Sequence, residues 1–207
     1  MIVLTMEQGS PEWLEARVGV VTASTFGKLL TPKGKPSSQI EGAAYAIAAE
    51  RISGEPSDQP IDSHWVRRGS ELEPHARALY EMTHDVEVEQ VGLILRDDRE
   101  VGCSPDGLVG DRGMLEIKCP SPAKHVEYLE AGTIPEAYRA QVQGQLWVAE
   151  RDWVDFMSYH PTMPPMVVRV ERDEAYIEQL STAVEALLDR VSSITSAILE
   201  AREEIEA

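Results

Sequence analysis

Between residues 86 and 119, short β-prone runs alternate with turns, and this alternation restricts the possible folds more than any other feature of the sequence. Turn residues such as Asp106-Gly107 and Asp111-Arg112-Gly113 separate the runs, and glycine at such positions favours tight turns. Strands joined by short turns pair with their neighbours in the chain, so the pattern predicts an antiparallel meander. The four runs cover residues 91–96, 100–104, 107–110 and 114–119.

Helix-patterned segments lie on both sides of this β-rich region. One helix is predicted from about Trp65 to Met82, and a long amphipathic helix is predicted at about 173–204. Two more strand-like runs, at 153–159 and 166–171, lie between the β-rich region and the long helix. A chain of 207 residues with this order of elements predicts one domain over 1–207. The expected class is α/β (α+β), with a mixed central β-sheet flanked by helices.

Composition excludes several classes of protein. The sequence has no charged segment followed by an apolar one at its start, and no apolar run near the ~20 residues needed to cross a bilayer, so a cytoplasmic protein without membrane contact is expected. The net charge of −17 argues against non-specific binding to nucleic acid. Residues 17–40, however, contain Arg17, Lys28, Lys33 and Lys35 and no acidic residue. A basic strip for DNA on an acidic body is one hypothesis, and a plain solvated acidic surface is the alternative.

The strand predicted at 114–119 carries the residues best suited to chemistry. Side chains alternate between the two faces of a strand, so Glu116 and Lys118 share one face, with Cβ atoms ~6.5–7 Å apart. Leu115 and Ile117 share the other face, and burying them fixes the register. Asp106 lies at the turn before this strand, which places it beside Glu116.

Two carboxylates at this separation repel each other unless a cation lies between them. A hard divalent cation such as Mg²⁺ prefers oxygen ligands and suits Asp106 and Glu116, and Mn²⁺ suits them as well. Such a metal lowers the pKa of bound water and neutralises charge that develops on a phosphate, while Lys118 can orient the attacking water. The alternative for Glu116 and Lys118 alone is a surface ion pair. The Pro-Asp pair about ten residues upstream favours an active site instead.

The pattern Asp106…Glu116-Ile117-Lys118 resembles that of the PD-(D/E)xK nucleases, which share a restriction-endonuclease-like core. The surrounding residues are similar to the lambda-exonuclease and YqaJ-type viral recombinase family over nearly the whole chain, in the same order. The matching segments are Glu7-Gln8-Gly9, Trp13, Arg17 to Ser24, the string CSPDGL at 103–108, the string LEIKCP at 115–120, Tyr138 to Gln143 and Arg169 to Glu174.

This resemblance implies a two-metal 5′→3′ exodeoxyribonuclease that digests the 5′-ended strand of linear duplex DNA to mononucleotides. It would leave 3′ overhangs for recombination by single-strand annealing. It also implies a ring-shaped homotrimer around DNA and a single-strand annealing protein as partner. The metal ligands implied are Asp106, Glu116, the backbone carbonyl of Ile117, and Glu73. Lys118 and Gln141 are implied to hold water or phosphate, and the implied 5′-phosphate ligands are Arg17, Ser24 and Ser104.

Four further residues are weaker candidates for DNA contacts. Lys33, Lys35 and Lys124 are implied to approach the backbone, although the family has an arginine at the position of Lys124. Val66 falls near an apolar wedge that would split the terminal base pair. Two other functions stay open from the residues themselves: a restriction-type or repair endonuclease on the same core, and a DNA-end-binding protein without catalysis. An endonuclease would cut closed circular DNA, and a binding protein would show no metal-dependent hydrolysis.

Overall fold

A computed structural model of the chain describes residues 1–57 and 64–206, without the side chains of Val66 and Glu206. The described residues contain six α-helices and nine β-strands, and two short 3₁₀ helices at Ala23–Lys28 and Glu136–Tyr138. The α-helices are α1 (Pro11–Ala16), α2 (Ile40–Ser53), α3 (His64–His84), α4 (Pro122–Ala131), α5 (Arg139–Val148) and α6 (Glu174–Glu206). The helix predicted at about 173–204 is therefore present as α6.

The strands form two mixed sheets. The first has the order β1-β4-β5-β2, in which β2 runs parallel to β5 and the other pairs are antiparallel. The second has the order β3-β6-β7-β8-β9, in which β7 runs parallel to β8 and the other pairs are antiparallel. The bounds are β1 (Ile2–Leu4), β2 (Val21–Thr22), β3 (Val88–Glu89), β4 (Leu93–Leu95), β5 (Val101–Cys103), β6 (Gly107–Val109), β7 (Gly113–Lys118), β8 (Trp153–Ser158) and β9 (Met166–Glu171).

The predicted meander is present only as two separate hairpins. β4 pairs with β5 in the first sheet and β6 pairs with β7 in the second, so the expectation of one antiparallel meander through all four runs was wrong. The chain passes between the sheets at Ser104-Pro105-Asp106. Pro105 has no N–H to donate to a strand ladder, which is consistent with the end of pairing there. The mixed α/β class itself is confirmed.

A buried apolar core joins α5, α6 and the 3₁₀ helix Ala23–Lys28. Phe26, Leu146 and Leu180 each have no exposed surface and belong to one cluster of buried residues. The helices approach closely because α5 carries Gly144, where an added Cβ would lie 2.0 Å from a ring carbon of Phe26. A smaller cluster on the other face of the second sheet contains Leu115 and Ile117. Burial on this face is what the alternation in 114–119 predicted.

Helices long enough and apolar enough to cross a membrane are absent from the described parts of the chain.

Candidate active site

The hairpin of β6 and β7 brings Asp106 and Glu116 together. Gly107 pairs with Leu115, and the N–H of Asp106 donates to the carbonyl of Leu115 at 3.1 Å. Asp106 therefore lies opposite Glu116, one residue beyond the Gly107–Leu115 pair. One carboxylate oxygen of Asp106 accepts a hydrogen bond from the N–H of Ile117 at 2.5 Å. The sequence-based expectation that these two carboxylates lie side by side agrees with this geometry.

Glu116 is buried and surrounded by donors. Its side chain is only 2% exposed. The amide of Gln141 donates to Oε1 at 2.7 Å, the amide of Gln145 donates to Oε2 at 2.7 Å, and the ammonium of Lys118 pairs with Oε1. A buried carboxylate is costly unless it is paired and hydrogen-bonded, and these three donors supply that compensation. They also fix the orientation of its carboxylate, next to Lys118, which lines the cavity described below.

Negative charge accumulates where the carboxylates of Asp106, Glu116 and Glu73 lie near one another. The pKa of Asp106 is raised well above its ordinary value, first because it is desolvated and then because Glu116 and Glu73 repel its charge; Lys118 opposes the shift. Burial alone would lower the pKa of Lys118, but the carboxylates of Glu116 and Asp106 outweigh it and the pKa is raised. One lysine therefore does not balance the carboxylates.

The donor set fits a divalent metal ion, although the side chains are not assembled as a finished cage. Glu73, on α3, pairs with Arg77 one turn later at 2.5 Å, and Asp106 is bonded to the backbone of Ile117. Among residues 1–57 and 64–206, no three His, Cys, Asp or Glu side chains form a preformed metal-binding group. The crowded carboxylates are nevertheless oxygen donors whose repulsion a hard cation would relieve. The residues present therefore fit Mg²⁺ or Mn²⁺.

A cavity of about 430 Å³ opens over these residues. Glu73, Asp106 and Lys118 line it, together with the backbone end of β7 and the aromatic rings of Trp65 and Tyr138. The Lys118 ammonium lies 5.3 Å from the centre of the Tyr138 ring. Four of the predicted site residues (Glu73, Asp106, Ile117 and Lys118) thus border one space.

Two of the three predicted 5′-phosphate ligands border a second cavity of about 470 Å³. Arg17 and Ser24 both line it, and Thr22 links them: its hydroxyl lies 3.4 Å from the guanidinium of Arg17 and 2.9 Å from the hydroxyl of Ser24. Burial lowers the pKa of Arg17, which nearby Glu50 partly offsets. Because arginine stays charged, this poorly hydrated cation suits an anionic ligand.

Ser104, the third predicted 5′-phosphate ligand, is connected to the Arg17 cavity through Trp13. The indole N–H of Trp13 lies 3.1 Å from the Ser104 hydroxyl and 2.9 Å from the carbonyl of Gly92, and the Arg17 guanidinium lies 4.1 Å over the same indole ring. Trp13 also lines a third cavity, of about 650 Å³, which reaches Glu73 and Asp106. Trp13 therefore stands between the Arg17 cavity and the carboxylates.

The weaker DNA-contact candidates lie apart from these cavities or outside the described residues. Lys33 and Lys35 are exposed on the loop after the first 3₁₀ helix, and they are not among the residues lining the three cavities. The ammonium of Lys124 pairs with Glu127 at 2.9 Å on α4. The side chain of Val66 lies outside the described residues.

Several residues in or behind the cavities were missed by reasoning from the sequence. Gln145 shares a helix face with Gln141, and that i,i+4 spacing was the only signal for it. Lys28 lines the Arg17 cavity and was visible only as part of the basic strip. Trp13 was matched to the family but given no role, and nothing in the sequence pointed to Trp65.

Comparison with known proteins gives the family. The family model of the YqaJ-like viral recombinase domain matches residues 12–152, more than half of the chain. The chain belongs to the YqaJ-like viral recombinase family. This membership confirms the resemblance found from the sequence, and it agrees with the expected class of enzyme, a phosphodiesterase that hydrolyses DNA.

Solved structures of this type are also similar to the whole chain. The crystal structure of an alkaline exonuclease (LHK-Exo) from Laribacter hongkongensis is 35% identical, with a TM-score of 0.85, and the match covers 95% of this chain and 100% of that one. The same exonuclease in complex with dAMP matches with a TM-score of 0.84, at the same identity and coverage. A phage-related exonuclease from Haemophilus somnus 129PT, 17% identical, has a TM-score of 0.69 over 86% of this chain and 96% of that one, which shows a shared fold.

A curated relative is much longer. An uncharacterised protein of Acanthamoeba polyphaga mimivirus is 27% identical over an alignment of 168 residues, and the match covers 73% of this YqaJ-like chain. The chain spans only 29% of that viral protein.

Proposed function

We propose that this chain is an Mg²⁺-dependent exodeoxyribonuclease that digests the 5′-ended strand of linear duplex DNA in the 5′→3′ direction. The observation that carries the proposal is the meeting of Asp106, Glu116 and Lys118 at the end of β7, beside a cavity. Membership of the YqaJ-like family and the match to an alkaline exonuclease support it.

The proposed metal ligands are the side chains of Asp106, Glu116 and Glu73 and the backbone carbonyl of Ile117. They would hold two ions, for which Mg²⁺ is the expected metal and Mn²⁺ also suits the oxygen donors. When bound, the ions lower the pKa of a coordinated water and neutralise charge on the scissile phosphate. Glu73 would have to exchange its contact with Arg77 for the metal.

Lys118 and Gln141 act on the reacting groups in this proposal. Each donates to Oε1 of Glu116, and Lys118 also lines the cavity in which the phosphate would lie. Lys118 positions the attacking water and balances negative charge at the phosphate. Gln141 helps to hold that water or a phosphate oxygen. Gln145, which is 1% exposed, keeps its contact with Oε2 throughout and holds the Glu116 carboxylate in place.

Arg17, Ser24 and Ser104 form the proposed pocket for the 5′-terminal phosphate. A guanidinium can bind two phosphate oxygens through parallel hydrogen bonds, and the two hydroxyls can complete the anion site. Capture of the terminal phosphate beyond the hydrolytic site selects DNA ends and advances the strand after each cut. Release of mononucleotides agrees with a relative crystallised with dAMP.

The resemblance to the family also supports a proposal for the wider assembly. We propose that the chain, acting as one nuclease domain, forms a ring-shaped homotrimer around double-stranded DNA ends in the cytoplasm of a bacterial host. It would leave 3′ overhangs for a single-strand annealing protein. A ring would also place acidic surface outside and basic residues such as Lys33, Lys35 and Lys124 near DNA, which a net charge of −17 otherwise disfavours.

One incubation series tests the activity. Linear duplexes with and without a 5′-phosphate, and supercoiled plasmid, are incubated with and without Mg²⁺, and the products are resolved over time. The expected result is Mg²⁺-dependent release of mononucleotides from linear DNA, faster with a 5′-phosphate. Cleavage of the supercoiled plasmid would indicate an endonuclease instead, and end binding without hydrolysis would indicate a binding protein.

A further inference from the structure

The indole of Trp65 is an exposed aromatic surface beside the candidate active site. It lies in the first turn of α3, and 51% of the residue is exposed. It lines the same cavity as Asp106, Lys118 and Tyr138. Other large exposed apolar residues, such as Tyr45 and Met82, do not line this cavity. An exposed tryptophan next to a site for phosphodiester chemistry therefore calls for an explanation in terms of a ligand.

Neighbouring side chains hold the indole in place. The ring of His64 packs against it edge to face, with centroids 5.1 Å apart and an interplanar angle of 82°. The guanidinium of Arg68 lies 5.8 Å from the ring centre and donates to the carbonyls of Cys119 and Pro120, at 3.4 and 3.2 Å. Arg68 thereby connects Trp65 to the segment that directly follows Lys118.

The ligand that fits such a surface is a nucleobase. Every base has a flat π-face, and stacking of a base on an aromatic side chain needs no base-specific hydrogen bond. In the proposed function the phosphate lies in the cavity that Asp106 and Lys118 line, and Trp65 lines the same cavity. A nucleotide with its phosphate near Asp106 can thus lay its base toward the indole.

We infer that Trp65 is a stacking platform for a nucleobase of the substrate strand at the hydrolytic site. The inference rests on the proposed function and extends it: the site binds a nucleotide by its base as well as by its phosphate. Because stacking is shared by all four bases, the platform allows digestion without strict sequence preference. Stronger stacking of purines would give adenine an advantage over cytosine.

Binding of small probes tests the platform on the full chain. dAMP and 2-deoxyribose 5-phosphate, which lacks the base, are titrated separately by calorimetry in the presence of Mg²⁺. The native protein is expected to bind dAMP about tenfold or more tightly than the sugar phosphate, a difference in the range found for base stacking. Trp65→Ala should reduce this ratio to near one, whereas Trp65→Phe should keep most of it. Tyr45→Ala, which removes an equally exposed aromatic ring on α2, should leave the ratio unchanged.

A second measurement uses hydrolysis. Linear duplexes with either an ordinary or an abasic 5′-terminal nucleotide are digested by the native protein and by Trp65→Ala. The native protein should slow on the abasic end, and the variant should digest both ends at similar rates. An equal preference for dAMP in Trp65→Ala and in the native protein, or no preference in either, overturns the platform. Loss of the platform inference would leave the proposed exonuclease function intact as long as the native protein digests ordinary ends. Absence of all Mg²⁺-dependent hydrolysis would instead contradict the proposed function.

Discussion

The amide of Gln145 donates to Oε2 of Glu116 at 2.7 Å, and both side chains are almost completely withdrawn from solvent. The other amide atom of Gln145, its Oε1, is buried without a hydrogen-bond partner among the described residues. The amide N–H of Gln145 thus holds the buried Glu116 carboxylate from the side opposite Lys118 and Gln141, which donate to Oε1. Gln145 is best described as a positioning residue that acts through Glu116.

We expect Gln145→Leu to lower activity by about 10- to 100-fold and to raise the Mg²⁺ concentration for half-maximal rate, because partners behind a metal ligand commonly contribute this much. The measurement is the rate on 5′-phosphorylated duplex across a Mg²⁺ series. Gln143→Leu is the matched control on the same helix, since Gln143 instead bonds the backbone of Glu171 and Asp173. It should lower thermal stability without moving the Mg²⁺ dependence; an equal shift in both variants would contradict the role of Gln145.

Asp106→Asn should stabilise the protein in the absence of metal. The pKa of Asp106 is raised in the folded state, by desolvation first and then by Glu116, so its ionised form opposes folding. This destabilisation of the folded state begins as the pH rises above the ordinary pKa of aspartate. It increases until the pH exceeds the raised pKa of Asp106 in the folded protein. The asparagine removes it, and at neutral pH without metal the melting temperature should rise, by ~2–4 °C for each kcal/mol relieved.

Mg²⁺ should stabilise the native protein more than the Asp106→Asn variant. The native chain is expected to gain thermal stability on addition of Mg²⁺, because an ion that binds only the folded state stabilises it. Asp106→Asn should gain little and lose hydrolysis. Thermal melts with and without Mg²⁺ measure both effects, and an unchanged Mg²⁺ response in the variant would remove Asp106 from the metal site.

Lys118→Met should reduce kcat by about 10²- to 10⁴-fold, the range for a group that handles the proton or charge of a reacting water. The methionine keeps most of the length of the side chain but not its ammonium. KM for duplex DNA should change little, since the terminal phosphate is held elsewhere. Steady-state rates on 5′-phosphorylated duplex provide the test. A loss confined to KM would mean that Lys118 binds substrate rather than assisting hydrolysis.

Arg17→Gln should remove the preference for a 5′-phosphate. The native ratio of rates on phosphorylated and unphosphorylated ends is expected to be about 10- to 100-fold, in line with ~1.5–3 kcal/mol for charge-assisted hydrogen bonds. The variant should act on both ends at the lower rate. Lys33→Gln removes an exposed positive charge from the loop after the first 3₁₀ helix and is the control, with an unchanged ratio. If both variants lose the preference alike, general charge and not the pocket selects the end.

Gly144→Ala should destabilise the fold by about 1–3 kcal/mol, because its Cβ would overlap the Phe26 ring in a filled core. Gly27→Ala is the control in the 3₁₀ helix, where an added Cβ meets nothing within 4 Å. Chemical denaturation measures both. Phe26 lies two residues from Ser24, so Gly144→Ala should also weaken the preference for a 5′-phosphate; a fully stable Gly144→Ala would contradict the tight packing.

Local patterns in the sequence were enough to place the strand that carries Glu116 and Lys118. The period of two over 114–119 put Glu116 and Lys118 on one face, and the Asp106-Gly107 turn put the second carboxylate beside them. The apolar periodicity of α6 likewise predicted its length. These features depend on neighbours in the chain, which sequence reasoning handles well.

Features that depend on long-range docking could not be predicted in the same way. The separation of β5 and β6 into two sheets depends on how the sheets pack, and Pro105 alone did not reveal it. Ser104 meets Trp13 across about ninety residues of chain, and only the resemblance to a family suggested a shared pocket. The contact of Gln145 with Glu116 and the place of Trp65 beside the cavity depend on the orientations of α5 and α3, which the sequence did not predict.

The passage of the chain between its two sheets limits how far apart two residues of the proposed site can lie. Ser104, a proposed ligand of the 5′-terminal phosphate, and Asp106, a proposed metal ligand, are separated by a single proline, and two residues of extended chain span at most ~7 Å. The two residues therefore cannot move far apart. In the proposed enzyme a ligand of the terminal phosphate is thus tied to a ligand of the metal by the backbone itself rather than by a flexible loop.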